Sequence, residues 1–258
     1  MRILVTGGTS GIGYGIARLA AERGWEVILV GRDVLRGARI AEELGGQFIQ
    51  ADLSVMSEVR RIAEGVAQPI DALAMCAGGV SLSSSVRFTG EGHETVFATN
   101  YLSKFLLSQL LLQQNKIAPG GCIVMVGGNG NYKKAPTAWT QPQAGLKAAF
   151  QAALAVDLYA SELAVRNPDI RVHTCYPGVV RTNLLRNAPL PFRIVTWLMG
   201  SSVSKGSMHV MRLFLEKRTE VHWNKNLPMQ FNPPLLGGQE REKLLAYSQQ
   251  MASLKHEL

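Results

Sequence analysis

The sequence has few cysteines and no long uncharged apolar run. Its three cysteines, Cys76, Cys122 and Cys175, are odd in number and include no CxxC pair. This argues against a disulfide framework and a structural zinc site, and it favours a reducing, cytoplasmic setting. Charged residues interrupt the apolar stretches before these reach membrane-spanning length, so the sequence predicts no transmembrane span. The opening residues, MRILVTGG, enter an apolar strand without the layout of a signal peptide.

Charge is also sparse. Charged residues make up 18% of the 258 residues, whereas hydrophobic residues make up 47%, a composition that excludes wholesale disorder and allows one sizeable core. The net charge is +8, but the basic residues form no clustered run interleaved with aromatic side chains. We therefore interpret the charge as a solvated basic surface and expect no nucleic-acid partner. No His, Cys, Asp and Glu residues have metal-ligand spacing, so no metal is expected.

Apolar β-rich segments alternate with helical patterns along most of the chain. Strands are predicted at Ile3–Thr6, Glu26–Val30, Gln47–Gln50, Ala72–Cys76, Cys122–Val126 and Arg171–Tyr176. Helices are predicted at Gly11–Arg23, Val34–Leu44, Ser57–Val66, Glu91–Gln113, Gln143–Leu163, Lys205–Glu216 and Arg241–Leu254. This alternation predicts an α/β fold with a doubly wound parallel sheet of the Rossmann type, as a single domain over residues 1–258.

The last third of the sequence is less regular. The segment Leu184–Ser202 mixes apolar residues with Pro189 and Pro191, and it follows the predicted strand Arg171–Tyr176. Ligands of open α/β sheets bind beyond the carboxyl ends of the strands. We therefore interpret residues 184–202 as a small segment that covers a substrate. The alternatives are an ordinary surface excursion and an oligomer contact.

A glycine-rich turn joins the first predicted strand to the first predicted helix. It consists of Gly7, Gly8, Thr9, Ser10, Gly11, Ile12 and Gly13. Glycine permits positive φ and a close approach of the backbone to a ligand. A helix N-terminus presents unpaired N–H groups and a positive dipole end to a pyrophosphate. The strand–turn–helix context favours a dinucleotide site over a mere tight turn.

The residues at the end of the second strand bear on the choice of cofactor. A site that prefers NAD usually places an acidic residue there, whereas an arginine suits the 2′-phosphate of NADP. Gly31 is neutral and Arg32 follows it, so the sequence predicts NADP(H) rather than NAD(H). The alternative is a plain surface arginine, and the next residue, Asp33, either weakens or orients Arg32.

These motifs resemble those of the short-chain dehydrogenase/reductase family, in the family's order and over nearly the whole chain. The turn resembles TGxxxGxG, with Thr6, Gly7, Gly11 and Gly13. The other matching positions are Asp52 and Leu53 in the segment that contacts adenine, Cys76, Ala77, Gly78 and Gly79 in place of NNAG, Asn100 of the fourth helix, Lys147 of YxxxK, and Pro177, Gly178, Val180 and Thr182 of the PGxxxT segment that cradles nicotinamide. Residues 89–94, 100–112 and 177–186 look closest to the retinol-dehydrogenase-like branch.

The resemblance implies a nicotinamide cofactor, a small-molecule substrate and redox chemistry. Many members of the family self-associate through two long helices, which correspond here to Glu91–Gln113 and Gln143–Leu163. A homodimer or homotetramer is therefore expected from the resemblance.

Two catalytic positions depart from the family's pattern. Gly128 stands where the family has its catalytic serine, and Gln143 stands four residues before Lys147, where the family has its catalytic tyrosine. In the family, the tyrosine exchanges a proton with the substrate oxygen and the serine holds that oxygen. A glutamine amide donates and accepts hydrogen bonds but does not titrate near neutral pH. Gln143 can therefore polarise a carbonyl but cannot replace a phenol in proton transfer.

Four residues near the predicted site have two interpretations each. Tyr132, in the loop after the fifth strand, is the best candidate for a replacement acid, and the alternative is a loop aromatic with its hydroxyl in water. Lys147 either bonds the cofactor ribose, which we prefer, or acts as an acid or base if burial lowers its pKa. Asn100 is either part of a water relay or a polar residue that bends its helix. Trp139 either stacks on a flat substrate or anchors its loop.

Three functions fit these features, in this order. The first is an NADP(H)-binding oxidoreductase with an altered proton relay that reduces an activated C=C, C=N or C=O bond of a small apolar substrate. The second is a redox-neutral enzyme of a biosynthetic pathway, such as a cyclase, isomerase or dehydratase. The third is a non-catalytic NADP(H) sensor. Fold resemblance alone does not choose between them, because function resides in the site.

Overall fold

The computed structural model describes residues 1–128, 132, 135–182, 197–229 and 238–252. Its strands are β1 (Arg2–Thr6), β2 (Glu26–Gly31), β3 (Gln47–Gln50), β4 (Ile70–Met75), β5 (Ile117–Val126), β6 (Arg171–Tyr176), β7 (His222–Asn224) and β8 (Leu227–Pro228). Its helices are α1 (Gly11–Ala21), α2 (Val34–Leu44), α3 (Met56–Gly65), α4 (Thr95–Phe97), α5 (Ser103–Gln113), α6 (Gly145–Arg166), α7 (Val203–Leu215) and α8 (Gly238–Met251), with a π-helical turn at Ala98–Leu102 between α4 and α5.

The described strands form one sheet in the order β3-β2-β1-β4-β5-β6-β7-β8. Every pair from β3 to β7 is parallel, and β8 joins β7 as an antiparallel edge. The strand order reverses between β1 and β4. This confirms the predicted doubly wound α/β fold, and the crevice at the carboxyl ends of β1 and β4 is where such a fold binds its ligand.

The alternation of side chains along β1 explains why helices cover both faces of the sheet. Leu4 belongs to one hydrophobic core, together with residues of α3, α5 and α6. Its neighbours Ile3 and Val5 point to the opposite face and pack with residues of α1, α2 and α7. All three side chains are fully buried. A strand that is apolar on both faces requires such a three-layer arrangement.

The helix predicted over Glu91–Gln113 starts later and is interrupted. Glu91 lies outside the helix because its carboxylate caps a different one, accepting the backbone N–H of Ser57 at 3.0 Å. Glu94 is the actual N-cap, and its carboxylate accepts the N–H groups of Val96 and Phe97 at 2.8 and 2.6 Å. The π-helical turn then widens the helix around Asn100.

Other predicted boundaries also shift. β5 begins at Ile117 rather than Cys122, with a register irregularity opposite β4 between Ile70 and Ala72. α6 begins at Gly145 because Ala144, its N-cap, is extended. Gln143 therefore lies outside the helix, on the loop before it. α7 and α8 begin two and three residues earlier than predicted.

The predicted substrate-covering segment lies mostly outside the described residues, because 183–196 are not among them. Of its remainder, Trp197, Leu198 and Met199 are exposed. Ser201 forms a short parallel β-bridge with Val180. The covering role of 184–202 stays a prediction.

α6 is the one helix in the described part of the chain that is long and apolar enough to cross a membrane. In its 18-residue window of highest hydropathy, 61% of the residues are buried inside the protein. Tyr159, for example, packs edge-on against Phe105 with ring centroids 5.0 Å apart. Such burial is typical of a helix in the core of a folded domain.

The C-terminal helix α8 packs against the two long helices expected to mediate self-association. The hydroxyl groups of Tyr101 and Ser248 are hydrogen-bonded at 2.7 Å, and the rings of Phe97 and Tyr247 lie 6.2 Å apart. Leu244 is fully buried. Helix α8 of the same chain therefore already covers part of the surface predicted to mediate self-association. The homodimer or homotetramer stays a prediction, which light scattering after size-exclusion chromatography tests.

His173 of β6 is a buried histidine whose titration couples stability to pH. Its ring lies edge-on to Trp223, and Nδ1 is 2.8 Å from the carbonyl oxygen of Glu220. Burial, the largest cause, lowers the pKa of His173 to about 4. A histidine in the unfolded chain titrates near pH 6.5. The unfolded state therefore binds more protons between these two values, and stability falls as the pH decreases through this window.

We expect this group to reduce the free energy of unfolding by about 3 kcal/mol between pH 6.5 and pH 4. The variant His173→Gln keeps a donor for the Glu220 carbonyl but does not titrate, so this part of the decrease should disappear. Urea unfolding followed by circular dichroism at several pH values measures it. Parallel stability–pH curves for the two proteins would show that His173 does not carry the effect.

Candidate dinucleotide site

The turn between β1 and α1 has no room for side chains at its key positions. Gly7 and Gly11 have φ values of +66° and +54°, in the left-handed region that favours glycine. A Cβ at Gly13 would clash with the carbonyl oxygen of Gly7 and lie 2.8 Å from its carbonyl carbon. The path of the turn over the start of α1 therefore depends on glycine at these three positions.

The N-terminus of α1 fits a phosphate group. Ser10 precedes the helix in an extended conformation, and its side chain makes no capping hydrogen bond. The N–H groups of the first turn are thus left without a side-chain cap, next to the positive end of an 11-residue helix. The flanking residues are fixed: Thr9 packs against Gly31 at the end of β2, and the Ile12 carbonyl accepts a 3.0 Å hydrogen bond from Ser207 of α7.

The loops after β4 and β6 meet this turn. A Cβ at Gly7 would lie 3.0 Å from the backbone nitrogen of Ala77, and that nitrogen is 3.4 Å from the hydroxyl of Thr6. A Cβ at Gly11 would lie 3.0 Å from the methyl carbon of Thr182. Three motifs that are far apart in the sequence therefore surround one crevice.

The loops that carry the other predicted cofactor residues have defined contacts. Gly178 has a φ of +84°, and the Lys225 side chain packs across it, with Cε 2.8 Å from a Cβ placed there. Val180 packs against Gly206 of α7. Pro177 is buried, and the Leu53 side chain lies in the hydrophobic core rather than at the crevice.

Arg32 lies on the β2 side of the crevice, and its side chain is exposed to solvent. Its side chain is 73% exposed, and one guanidinium nitrogen is 3.9 Å from a carboxylate oxygen of Asp52. Asp52 in turn accepts hydrogen bonds from the backbone N–H and hydroxyl of Ser54 at 2.9 and 2.8 Å. Asp33 neither pairs with nor orients Arg32, since its carboxylate caps α2 by accepting the N–H of Arg36 at 3.0 Å.

Asn100 holds the loop after β4. Its side-chain oxygen accepts the N–H of Gly79 at 2.7 Å, and its side-chain nitrogen donates to the carbonyl of Gly79 at 2.8 Å. Gly78 lies beside it, and a Cβ there would be 3.5 Å from the Asn100 side-chain oxygen. Both functional groups of the amide are therefore used to clamp the loop, at the point where the π-helical turn interrupts the helix.

The position of the family's serine is filled by other groups. A Cβ at Gly128 would lie 2.8 Å from the methyl carbon of Ala153 and 3.1 Å from the hydroxyl oxygen of Tyr132. Tyr132 packs against the core, and its hydroxyl oxygen is buried. The residues next to it, 129–131 and 133–134, lie outside the described part of the chain. A phenol thus lies where the family's serine side chain would begin.

Among the described residues, no hydrogen bond joins Gln143 to Lys147 of the YxxxK segment. The amide of Gln143 donates to the carbonyl of Gln141 at 3.0 Å. Lys147 is exposed, which removes the burial on which its acid–base interpretation depends. Trp139 is buried in the core, and Gln151 holds the adjacent carbonyl of Ala138 at 3.1 Å. The structure therefore supports the anchoring interpretation of Trp139.

Sequence reasoning missed a buried lysine next to the predicted site. Lys104 is 3% exposed, and its ammonium donates to the carbonyl oxygens of Ala77 and Asn100 at 2.8 Å each. The only signal in the sequence is a single basic residue inside the apolar segment that follows Asn100. A lysine in an amphipathic helix is ordinarily read as a surface residue.

A second buried polar cluster was also missed. Asp157 of α6 is fully buried, and its carboxylate lies 3.7 Å from Nδ1 of His222 on β7. The same ring nitrogen is 2.8 Å from the hydroxyl of Thr174, and Nε2 is 2.8 Å from the hydroxyl of Ser161. Burial, the largest cause, raises the pKa of Asp157. The cluster ties α6 to β6 and β7. Within the described residues no group of three or more His, Cys, Asp and Glu residues has metal-binding geometry.

The short chain dehydrogenase family profile matches residues 1–190, and the chain therefore belongs to this family. It is 31% identical to retinol dehydrogenase 12 of Homo sapiens over 203 residues, which cover 73% of this chain and 64% of that protein. It is 36% identical to the chloroplastic protochlorophyllide reductase of Cucumis sativus over 138 residues, which cover 48% and 34% of the two chains. The alignments thus span less than two thirds of either relative.

Solved structures show the same fold. A short-chain dehydrogenase from Sphingobium yanoikuyae in complex with NADPH matches with a TM-score of 0.67 and 24% identity, covering 99% of this chain and 96% of that one. The predicted family and the predicted fold are confirmed. The family binds a nicotinamide cofactor, and the glycine cradle at Gly13 and the uncapped start of α1 fit such a group.

Proposed function

We propose that this protein is an NADP(H)-dependent oxidoreductase that reduces an activated double bond, C=C, C=N or C=O, in a small apolar substrate. Its proton relay differs from that of its family. The observation that carries the proposal is the position of the Tyr132 hydroxyl, 3.1 Å from where a serine Cβ would stand at residue 128. A titratable group is thus present in the space of one of the two missing hydroxyls.

The chemistry divides between the cofactor and the chain. When bound, reduced nicotinamide supplies a hydride to an electrophilic carbon, and the adjoining substrate atom then needs a proton. The Gln143 amide and the Gly128 backbone do not titrate near neutral pH, whereas the Tyr132 phenol donates its O–H proton as a general acid. Lys147, exposed on the first turn of α6, is assigned to the cofactor ribose. Asn100 holds the loop at Gly79, which would support the bound cofactor.

The names of the two relatives, a dehydrogenase and a reductase, favour redox chemistry over the redox-neutral alternative. A conjugated C=C or an iminium takes up hydride with less polarisation of an oxygen than a simple ketone requires. This matches a site in which two of the family's oxygen-binding hydroxyls are replaced by Gly128 and Gln143.

Transfer of label from NADPH that carries deuterium at both C4 positions tests the proposed function. The purified protein is incubated with a panel of conjugated enones, imines and aldehydes, and the products are examined by mass spectrometry. We expect one deuterium in the product for each NADPH oxidised. Conversion of a substrate without any nucleotide would indicate the redox-neutral enzyme instead. Tight NADPH binding with no transfer to any substrate would indicate the sensor.

The variant Arg32→Ala tests the preference for the phosphorylated cofactor. We expect the Kd for NADPH to rise about tenfold, because a guanidinium–phosphate interaction is lost, while the Kd for NADH changes less than twofold. Calorimetric titration with both nucleotides measures the ratio. Arg36→Ala, an exposed arginine on the first turn of α2, is the matched control. A parallel loss of both affinities would contradict a contact with the 2′-phosphate.

A further inference from the structure

The ammonium group of Lys104 is a buried charge without a buried counterion. Its two hydrogen-bond acceptors, the carbonyl oxygens of Ala77 and Asn100, are neutral. Within the described part of the chain no carboxylate contacts it. A buried cation without a paired anion is unfavourable for folding, and burial lowers the pKa of Lys104 to about 8. At neutral pH the group is still mostly protonated.

The titratable groups around Lys104 do not neutralise it. The thiol of Cys76, at the end of β4, is held in its neutral form because burial raises its pKa to about 12. Burial also raises the pKa values of the phenols of Tyr101 and Tyr159, so both stay neutral. Asp157 of α6 belongs to the cluster around His222. The charged residues of the packed helix α3 are partly or fully exposed: Glu58, Arg60, Arg61 and Glu64.

The charge lies behind the loop on the nicotinamide side of the crevice. A dinucleotide crosses the point where the strand order reverses. Arg32 marks the side of β2 and β3 for the adenosine half, so the nicotinamide half of a bound dinucleotide would lie over β4, β5 and β6. The carbonyl that Lys104 holds belongs to Ala77, whose backbone also lies against Gly7 of the phosphate-binding turn. Asn100 clamps the same loop at Gly79.

The two redox forms of the cofactor differ in charge at this place. The oxidised nicotinamide ring carries a formal positive charge that the reduced ring lacks. A buried cation on the same side repels only the oxidised form, and this repulsion is stronger in a low-dielectric site than in water. We infer that Lys104 is a positioning residue that makes the site bind NADPH more tightly than NADP+, and thereby favours loading with the reduced cofactor and release of the oxidised one. This inference rests on the proposed NADP(H)-dependent function.

The ratio of the two dissociation constants, Kd for NADP+ over Kd for NADPH, tests the inference. Lys104→Met removes the charge while keeping an unbranched side chain. It also leaves the Ala77 and Asn100 carbonyls without their donor, but a shift of the loop weakens both nucleotides alike and cancels in the ratio. We expect the ratio to fall about fivefold, whereas Lys104→Arg, which keeps the charge, should preserve most of it.

A matched control is available at the opposite, amino ends of the strands. Lys116, just before β5, also donates to two backbone carbonyl oxygens, those of Ala63 and Glu64, at 2.7 and 3.2 Å. Lys116→Met therefore removes a lysine of similar bonding far from the carboxyl ends of the strands. Its ratio should equal that of the unaltered protein.

A pH series of the unaltered protein provides a second test, in which Lys104→Met serves only as a control. In the unaltered protein, Lys104 loses its charge as the pH rises through about 8. The ratio should therefore decrease between pH 7 and pH 9.5, and it should be flat in Lys104→Met. A ratio that is constant with pH in the unaltered protein overturns the inference alone. Failure of the protein to bind either nucleotide overturns the proposed function, and the inference with it.

Discussion

Gly13→Ala is expected to lower the affinity for NADPH at least a hundredfold. The added Cβ would clash with the Gly7 carbonyl oxygen and lie 2.8 Å from its carbonyl carbon, and both atoms are backbone, which cannot rotate away. The turn has to shift, so the N–H groups at the start of α1 no longer point at the pyrophosphate. Titration of NADPH fluorescence measures the loss.

Two glycine variants separate this effect from a general loss of stability. A Cβ at Gly90 would have no atom within 4 Å, so Gly90→Ala should bind NADPH normally. A Cβ at Gly15 would clash with the Ser207 hydroxyl and lie 2.8 Å from the Cβ of Ser207, so Gly15→Ala strains the packing of α1 on α7 while leaving the glycines of the turn unchanged. It should lower the melting temperature more than the affinity. NADPH binding by Gly13→Ala within threefold of the unaltered protein would rule out the turn as the phosphate site.

Tyr132→Phe is expected to lower kcat about a hundredfold for the substrate identified by deuteride transfer. The change removes only the hydroxyl, and general acid catalysis typically contributes about 10²–10⁴ in rate. NADPH affinity should change less than twofold, because the ring remains packed against the core. Steady-state kinetics with saturating NADPH, together with the pH dependence of kcat, measure the effect.

Tyr247→Phe is the control for removal of a phenol. Tyr247 is a half-buried tyrosine of α8 that packs against Phe97, and its variant should retain full kcat. If Tyr132→Phe keeps kcat within twofold of the unaltered protein, the proton comes from another source, such as solvent, and the proposed relay is wrong.

The fold could be predicted from the sequence because the patterns that indicate it are local. Apolar segments of strand length alternate with amphipathic helices, and the glycine turn identifies the first βα unit. The predicted helix boundaries are wrong where contacts with residues distant in the sequence determine where a helix begins. Glu91 reads as helical from its neighbours, but its carboxylate caps α3 through Ser57. Gln143 fits the helical pattern of α6, but the extended conformation of Ala144 places it outside.

Only part of the candidate site could be predicted from the sequence. The spacing of Gly7, Gly11 and Gly13 is enough to predict the phosphate-binding turn from the sequence. Lys104 does not stand out, because a lysine gives the same pattern whether its side chain reaches solvent or a buried carbonyl. Its burial follows from the π-helical turn before α5 and from the loop after β4, and neither is visible in the local pattern. The pairing of Asp157 with His222 likewise joins residues that come together only in the folded sheet.

A serine cannot simply return to position 128. Its Cβ would meet the methyl group of Ala153 at 2.8 Å and the Tyr132 hydroxyl at 3.1 Å, so one of these neighbours has to change first. The order in which substitutions are tolerated is therefore restricted along any evolutionary path back to the family's pattern. Packing at position 128 therefore opposes a serine independently of any effect that its hydroxyl would have on the chemistry.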